Sequence, residues 1–481
     1  MRTTRKSGAA AALAGVVTGL ALLCGAGHSR AAEPLSRGSD GAAQGPAVSP
    51  SPESEASPTH ITAHPARVSA HPVYVPGQVV VRFEGDPVPE AVALPDEVSV
   101  PEAVRALGGN PDVAYAVPNY VATASAAVPN DPGTVPGTKG RAGGWTRLQW
   151  NFLPCGSFCG GTQLAHQSRG GIDALGAWHH LAKAGRKGAS GVTVAVLDTG
   201  IAYRSGSAGA FRRSPDFARA QFTRGYDFVR NDPLPLDENG HGTHVAGTIG
   251  ERTGNRLALT GLAFRAKLMP VRVLNARGRG QSDDIARGIR YAAARGADVI
   301  NMSFNFSCGA KVKPVADAVR YAVSKGAVLV ASAGNLGTEA CVSPPATFPG
   351  VIGVNGTTEG GCLGDYSLSG ADIDLAAPGG GTPSGSCLSS ASRPVFQLTL
   401  RPGSTSRFAF PRIYAGTSMA AAHVSGTAAM VIASGVVGRS PAPAKVLARL
   451  RKTARDLGIP GKDTGFGSGL IDAGRATDPT L

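Results

Sequence analysis

The chain has 481 residues, is 42% hydrophobic and 6% aromatic, and carries a formal net charge of +14. Its length allows two or three domains, and its apolar content supports a globular core with few large rings. The 47 Lys and Arg are dispersed, with no long basic run and no interleaved aromatics, which argues against a nucleic-acid partner and leaves an anionic surface open.

In chain order, the first segment reads as a secretory signal over 1–31. Arg2, Arg5 and Lys6 form a basic start, Gly8 to Cys24 is apolar, and Ser29-Arg30-Ala31 offers a small-x-small cleavage site. The apolar stretch is too short and too Gly-rich for a membrane span. Lipidation at Cys24 is the rival reading, and the bulky Leu23 before it argues against that. No later stretch is long and apolar enough to span, so no transmembrane anchor is expected and the protein is expected to be secreted and extracellular.

Residues 32–128 hold 11 acidic and 4 basic residues, a balance of −7, whereas the chain from Pro129 onward carries +17. An acidic leader before a cationic body suggests a leader held partly by charge. Ala32 to Arg67 is rich in Pro, Ser, Ala and Gly and reads as a disordered spacer. Gly77 to Phe83 predicts a strand and Pro101 to Leu107 a short helix. The stretch between Phe83 and Pro101 carries no clear pattern.

From Gly191 onward, short apolar runs alternate with helical spacing. The runs are Val192 to Leu197, Leu268 to Leu274, Asp298 to Ser303, Ala327 to Ala333 and Val351 to Val354. Ser282 to Arg295 and Val312 to Lys325 predict helices, each stopped by a glycine (Gly296, Gly326). Repeated strand–helix–strand order predicts an α/β fold: a doubly wound, mainly parallel sheet with helices on both faces. Sites in such sheets lie at the carboxyl ends of the strands, where Asp198 and, just past another strand, Asn335 fall.

Removing the signal leaves six cysteines, and an even number in an exported chain reads as three disulfides. The pairing expected is Cys308 with Cys341, Cys155 with Cys159, and Cys362 with Cys387. The first would tie together loops that follow neighbouring strands. No C-x-x-C pair supports a zinc or thioredoxin-like reading.

Three short motifs carry chemistry. Val194-Ala195-Val196-Leu197-Asp198-Thr199-Gly200 ends in an acid, Asn239-Gly240-His241-Gly242-Thr243-His244 surrounds a histidine with glycines, and Gly416-Thr417-Ser418-Met419-Ala420 sets a serine before an Ala-rich helical pattern. A serine hydroxyl attacks only if a base takes its proton, imidazole does so near neutral pH, and a carboxylate fixes the imidazole's tautomer. Singly, Asp198 could cap a turn and Ser418 a helix. His244 and His423 lie on apolar helices and read as packing or hydrogen-bonding residues. Asp-Thr-Gly recurs at Asp463, which raises an aspartic-protease dyad, but Ile459-Pro460-Gly461-Lys462 before it is no apolar strand.

Together the three motifs, in the order Asp, His, Ser, resemble the active-site segments of the subtilisin-like serine proteases (subtilases). Ala331-Ser332-Ala333-Gly334-Asn335 resembles the segment whose Asn donates its amide to the oxyanion. Gly465 to Ala473 resembles the domain's closing segment. The resemblance covers about Gln149 to Ala476 and implies a serine endopeptidase acting on polypeptide substrates. Its triad would be Asp198, His241 and Ser418, and its oxyanion hole Asn335 with the Ser418 backbone. Ser303-Phe304-Asn305 would pair with the substrate as an added strand, opposite a wall of Ser332, Ala333 and Gly334. A usual double glycine is here Asn305 and Phe306, and Ala422 stands where a proline is common.

The resemblance also implies a preproenzyme: a signal over 1–31, a propeptide over 32–128 (the spacer plus a short inhibitor-like segment) and a peptidase domain over 129–481. The propeptide, whose last strand Asn110 to Asn119 resembles, would act as intramolecular inhibitor or chaperone, processing would be by the enzyme itself, and the mature form would be a monomer. Catalysis would require no cofactor. Structural calcium is common in the family; Asp227, Asp232, Asp237 and the loop Thr253 to Leu259 hold oxygen ligands, although Arg252 and Arg256 make a solvated loop the stronger reading. A catalytically silent, peptide-binding relative is the alternative. Pro383 to Pro411 resembles nothing in the family and reads as a surface excursion.

Overall fold

The structure, a computed structural model, describes residues 74–120, 128–159, 166–205, 210–335, 341–385, 387 and 392–481. The signal and spacer expected over 1–67 lie outside them. The chain divides into two compact units, Met1–Thr123 and Ala124–Leu481.

The described part of the first unit is a three-stranded antiparallel sheet with one helix. Strands β1 (Tyr74–Phe83), β2 (Glu90–Ala93) and β3 (Val113–Tyr120) run in the order β2-β1-β3, and helix α1 spans Val100–Gly108. β2 fills the stretch the sequence left blank; its four residues are too few to show a period of two. Glu102 accepts from the Ser99 backbone and fixes the start of α1. Val79 and Val81 of β1 pack with Ala103 and Leu107 in a small core.

The second unit is built on a seven-stranded sheet. In chain order its elements are α2 (Ala174–Lys183), β4 (Thr193–Asp198), β5 (Tyr226–Asp227), α3 (His241–Gly250), β6 (Lys267–Arg272), α4 (Ser282–Ala294), β7 (Val299–Met302), α5 (Lys313–Ser324), β8 (Val328–Ser332), β9 (Val351–Thr357), β10 (Leu375–Pro378), β11 (Thr399–Leu400), β12 (Phe408–Ala409), α6 (Thr417–Ser434), α7 (Pro443–Thr453) and α8 (Ala473–Thr477). The sheet order is β10-β9-β8-β7-β4-β6-β5, with every pairing parallel. This is the doubly wound α/β architecture.

Its two faces are legible in β4. Val194 and Val196 join a core with α3 and α6, while Ala195 and Leu197 join a core with α4 and α5. Alternate residues of a strand point to opposite faces, so a strand covered on both sides must be apolar throughout. Gly296 (φ 74°) and Gly326 (φ 85°) end α4 and α5 in the left-handed conformation that glycine adopts without strain. Neighbours β6 and β7 flank β4, so strand order reverses around it and opens a crevice at the carboxyl ends. Among the described residues no helix is long and apolar enough to cross a membrane.

The six cysteines pair as Cys155–Cys159, Cys308–Cys341 and Cys362–Cys387, with Cα separations of 5.8, 6.0 and 6.1 Å. The stretch expected to be a surface excursion before Ser418 is instead anchored in the core: Val395 and Leu398 are fully buried, and β11 and β12 form a hairpin.

Candidate active site

β4 delivers Asp198 fully buried at its carboxyl end, and α3 begins at His241. His241 Nδ1 lies 2.8 Å from Asp198 Oδ1, which also accepts the Thr199 backbone N–H at 2.7 Å. Desolvation pushes the imidazole pKa down, but the Asp198 charge and hydrogen bond, with the Asp237 charge, outweigh it and hold the ring above its ordinary value. With 24% of its side chain exposed, His241 is accessible to a substrate.

The loop before His241 is shaped by Asp237, one of the acids with calcium-ligand chemistry. Its Oδ1 accepts from the Thr199 hydroxyl and the backbones of Asn239 and Gly240, and its Oδ2 accepts from the Thr243 backbone and hydroxyl. Both oxygens are thus committed within the protein. Asp227 is likewise committed, to Arg272 Nη1 at 3.2 Å and the backbones of Val229 and Arg230. Neither fits a cation. The sequence held one signal for Asp237, an acid four residues before His241 in a turn-rich segment.

Ser418 is the second residue of α6. The first N–H groups of a helix lack intrahelical partners and favour a developing negative charge. No hydrogen bond joins Ser418 to His241 among the described residues; the Ser418 hydroxyl donates to Ser303 O at 3.1 Å, while the Ser303 hydroxyl donates to Ser418 O at 2.8 Å. Asn301 Nδ2 supports Ser303 Oγ at 2.9 Å, and Ser425 supports Asn301 Oδ1 at 2.8 Å. Such contacts often close only around bound substrate.

Asn335 follows β8. Its Oδ1 accepts from the Thr417 backbone (2.8 Å) and hydroxyl (2.7 Å), which commits the carbonyl and leaves Nδ2 to donate elsewhere. A Cβ on Gly416 (φ 144°) would meet that amide at 3.0 Å, so close approach requires glycine.

Ser332, Ala333 and Gly334 are buried beside this amide, whereas Phe304 is half-buried and Asn305 exposed. The Asn305 side chain approaches Gly334 and donates to Phe306 O at 3.2 Å. Phe306 N in turn donates to Pro344 O at 2.8 Å.

His244 stacks on Tyr414, with ring centroids 4.1 Å apart, and Tyr414 lies 6.4 Å from the His241 ring. Burial drives His244 down to about 3 and His423 to about 4, so both are neutral structural rings. Asp463 sits in a turn, where its carboxylate accepts from the Gly465 and Phe466 backbones, which ends the dyad reading.

Sequence reasoning missed a cluster of buried carboxylates: Asp131, Asp216 and Glu251. Burial raises all three; Asp216 reaches about 8, with the Asp131 charge adding to the rise. Asp216 Oδ2 and Glu251 Oε1 have no hydrogen-bond partner. Asp131 holds the Gly254 and Asn255 backbones, and Asn255 Nδ2 donates to Asp216 Oδ1 at 2.6 Å. The three acids come from distant parts of the chain, so no local spacing marks them.

Residues 189–469 match the model of the subtilase family. The chain is 31% identical over 384 residues to a thermophilic serine proteinase of Bacillus sp. (strain AK1), covering 75% of this chain and 79% of that one. It is 36% identical over 293 residues to subtilisin BL of Lederbergia lenta, covering 60% and 91%. A solved protease from Pseudoalteromonas arctica is similar with a TM-score of 0.55 and 29% identity, over 73% of this chain and 99% of that chain. On these matches, the chain belongs to the subtilase family and is a serine endopeptidase.

Proposed function

We propose that this endopeptidase cleaves polypeptides with Ser418 as nucleophile, His241 as general base and Asp198 as the group that orients it. The observation that carries the reading is the 2.8 Å contact between His241 Nδ1 and buried Asp198 Oδ1, which leaves Nε2 to face the substrate. Ser418 Oγ attacks the scissile carbonyl as His241 takes its proton. Asn335 Nδ2 and the Ser418 backbone N–H stabilise the oxyanion, and His241 returns the proton to the leaving amine. Catalysis in this family needs no cofactor. Ser303, Phe304 and Asn305 form one wall of the substrate groove, and Ser332, Ala333 and Gly334 the other.

The chain is read as a secreted preproenzyme that processes itself and works as a monomer, with residues 1–31 as signal, 32–128 as propeptide and 129–481 as peptidase domain. Supporting this are the basic-apolar start, the acidic leader and the sheet-and-helix unit before Thr123. Structural calcium belongs to the proposal at one place. Among the described residues no group of three or more His, Cys, Asp or Glu could hold a metal. A cation at the unpartnered Asp216 Oδ2 and Glu251 Oε1 would therefore draw its further oxygens from backbone carbonyls of the Thr253–Leu259 loop, because both Asp131 oxygens and Asn255 Oδ1 are already committed. The unpartnered Asp216 Oδ2 fits this use, and the ion would supply charge neutralisation and loop rigidity.

Labelling the secreted chain with a fluorophosphonate, with Ser418→Ala as control, tests the reading. A label on wild type alone is expected, and an unlabelled wild type favours the silent relative. N-terminal sequencing of both secreted forms tests self-processing.

A further inference from the structure

We propose that arginines on the His241 side of the cleft select substrates with acidic side chains just after the scissile bond. Residues 199–215 and 383–415 contain seven arginines and no Asp or Glu. Arg393 is paired, with Glu359 at 2.9 Å, whereas Arg212, Arg401, Arg407 and Arg412 are exposed and have no acidic partner among the described residues.

These four sit on segments tied to one another and to the loop that holds His241. Arg212 N donates to Thr405 O at 3.1 Å, and the Thr405 hydroxyl donates to Ala210 O, stitching the two segments together. Arg401 N donates to Arg407 O at 2.8 Å within the β11–β12 hairpin. One residue before β11 ends, the Thr399 hydroxyl donates to Gly240 O, adjacent to His241. Arg412 lies two residues before Tyr414, whose ring is 6.4 Å from His241.

The chemistry sets which half of a substrate meets this collar. The imidazole that takes the serine proton must hand it to the leaving amine, so the departing C-terminal half lies on the His241 side. The walls at Ser303–Asn305 and Ser332–Gly334 serve the other half. Several guanidinium groups there without an acidic partner, Arg412 among them over the Phe396 ring, attract carboxylates and repel Lys and Arg, at a range that salt shortens. The inference rests on the Ser418–His241 reading above.

The test uses internally quenched peptides identical up to the scissile bond, with Asp-Asp, Ser-Ser or Lys-Lys at the second and third positions after it. Rates are taken per active site titrated with fluorophosphonate. The expected order of kcat/KM is Asp, Ser, Lys, with a gap of about five- to tenfold between Asp and Ser at about 0.05 M salt that shrinks at about 0.5 M. The Arg401→Gln/Arg407→Gln/Arg412→Gln variant is expected to bring the Asp-to-Ser ratio toward one, and the single Arg407→Gln to lower it in part. Equal rates on the three peptides overturn the collar, as does a triple variant with reduced binding to anionic vesicles but an unchanged ratio. Absence of both cleavage and label overturns the protease reading, and the collar with it.

Discussion

Ser418 and Ser303 hold each other through two hydrogen bonds, hydroxyl to carbonyl in both directions, at 3.1 and 2.8 Å. The helix that carries Ser418 is thereby fixed to the end of β7. Ser303→Ala removes the hydroxyl that donates to Ser418 O and accepts from Asn301 Nδ2, leaving the buried Asn301 amide without that acceptor. A loss of about 1–3 kcal/mol in stability is expected, together with a fall in kcat of less than about tenfold, because the proposed reacting groups are all retained. Thermal melts of the inhibitor-blocked protein and steady-state kinetics check both; a drop as large as that of Ser418→Ala would make Ser303 part of the reacting set.

The raised pKa of His241 predicts where activity fails in acid. As the proposed base, His241 works when neutral, so kcat/KM is expected to fall as pH drops through a value above the ordinary histidine value of about 6.5. Asp198→Asn removes the charge that raises it, so the acid limb moves to lower pH. The same change costs about 10⁴ in kcat in a serine protease of another fold, and a loss of that order is expected here. A pH profile of both proteins decides the matter, and an unmoved limb would remove Asp198 from its role.

Arg272 is 2% exposed at the end of β6, where its backbone pairs with Asp198 and its guanidinium meets Asp227 and Glu238. Arg272→Met leaves two carboxylates without their buried cation. A destabilisation of about 3–5 kcal/mol is expected, as for other buried pairs broken on one side. Chemical denaturation of the inhibitor-blocked enzyme measures it; a change below about 1 kcal/mol would place the pair among exposed ones.

Much of this was legible in the sequence, for reasons visible in particular residues. β4 is apolar at successive positions because both faces are covered, and α4 and α5 show a helical period because only one face is. The motifs around Asp198, His241 and Ser418 are local strings, so they survive reading in one dimension. The role of Asp237 is not local, since its partners Thr199 and Thr243 lie on opposite sides of it in the chain. The same holds for Asp131 and Asp216, 85 residues apart and joined through Asn255. The β11–β12 hairpin escaped because two-residue strands carry no periodicity, and its place is fixed by the Thr399 bond to Gly240 and, just before the hairpin, by the Gln397 bond to Glu251.

The proposed calcium beside Asp216 predicts a stability gain on addition of the ion. Saturation to about 100 times its dissociation constant would add about 2.7 kcal/mol. The melting temperature of inhibitor-blocked protein in calcium is expected to exceed that in chelator, and Asp216→Asn to remove most of the difference. Identical melts in both conditions would leave the cluster as buried acids alone.

Gly416 joins two requirements in one residue: a φ of 144° and a Cβ position 3.0 Å from the Asn335 amide. Gly416→Ala is expected to displace Asn335 from the position proposed for the oxyanion donor while leaving Asp198 and His241 in place. Loss of an oxyanion-hole donor in subtilisin costs about 10²–10³ in kcat. A fall approaching that range is expected for Gly416→Ala, with KM little changed because ground-state binding does not use the oxyanion donor. Asn335→Ala should give a similar kcat, and the double variant should be little worse than either single one, since both act through the same amide. Additive losses in the double variant would mean that Gly416 acts on Ser418 by another route.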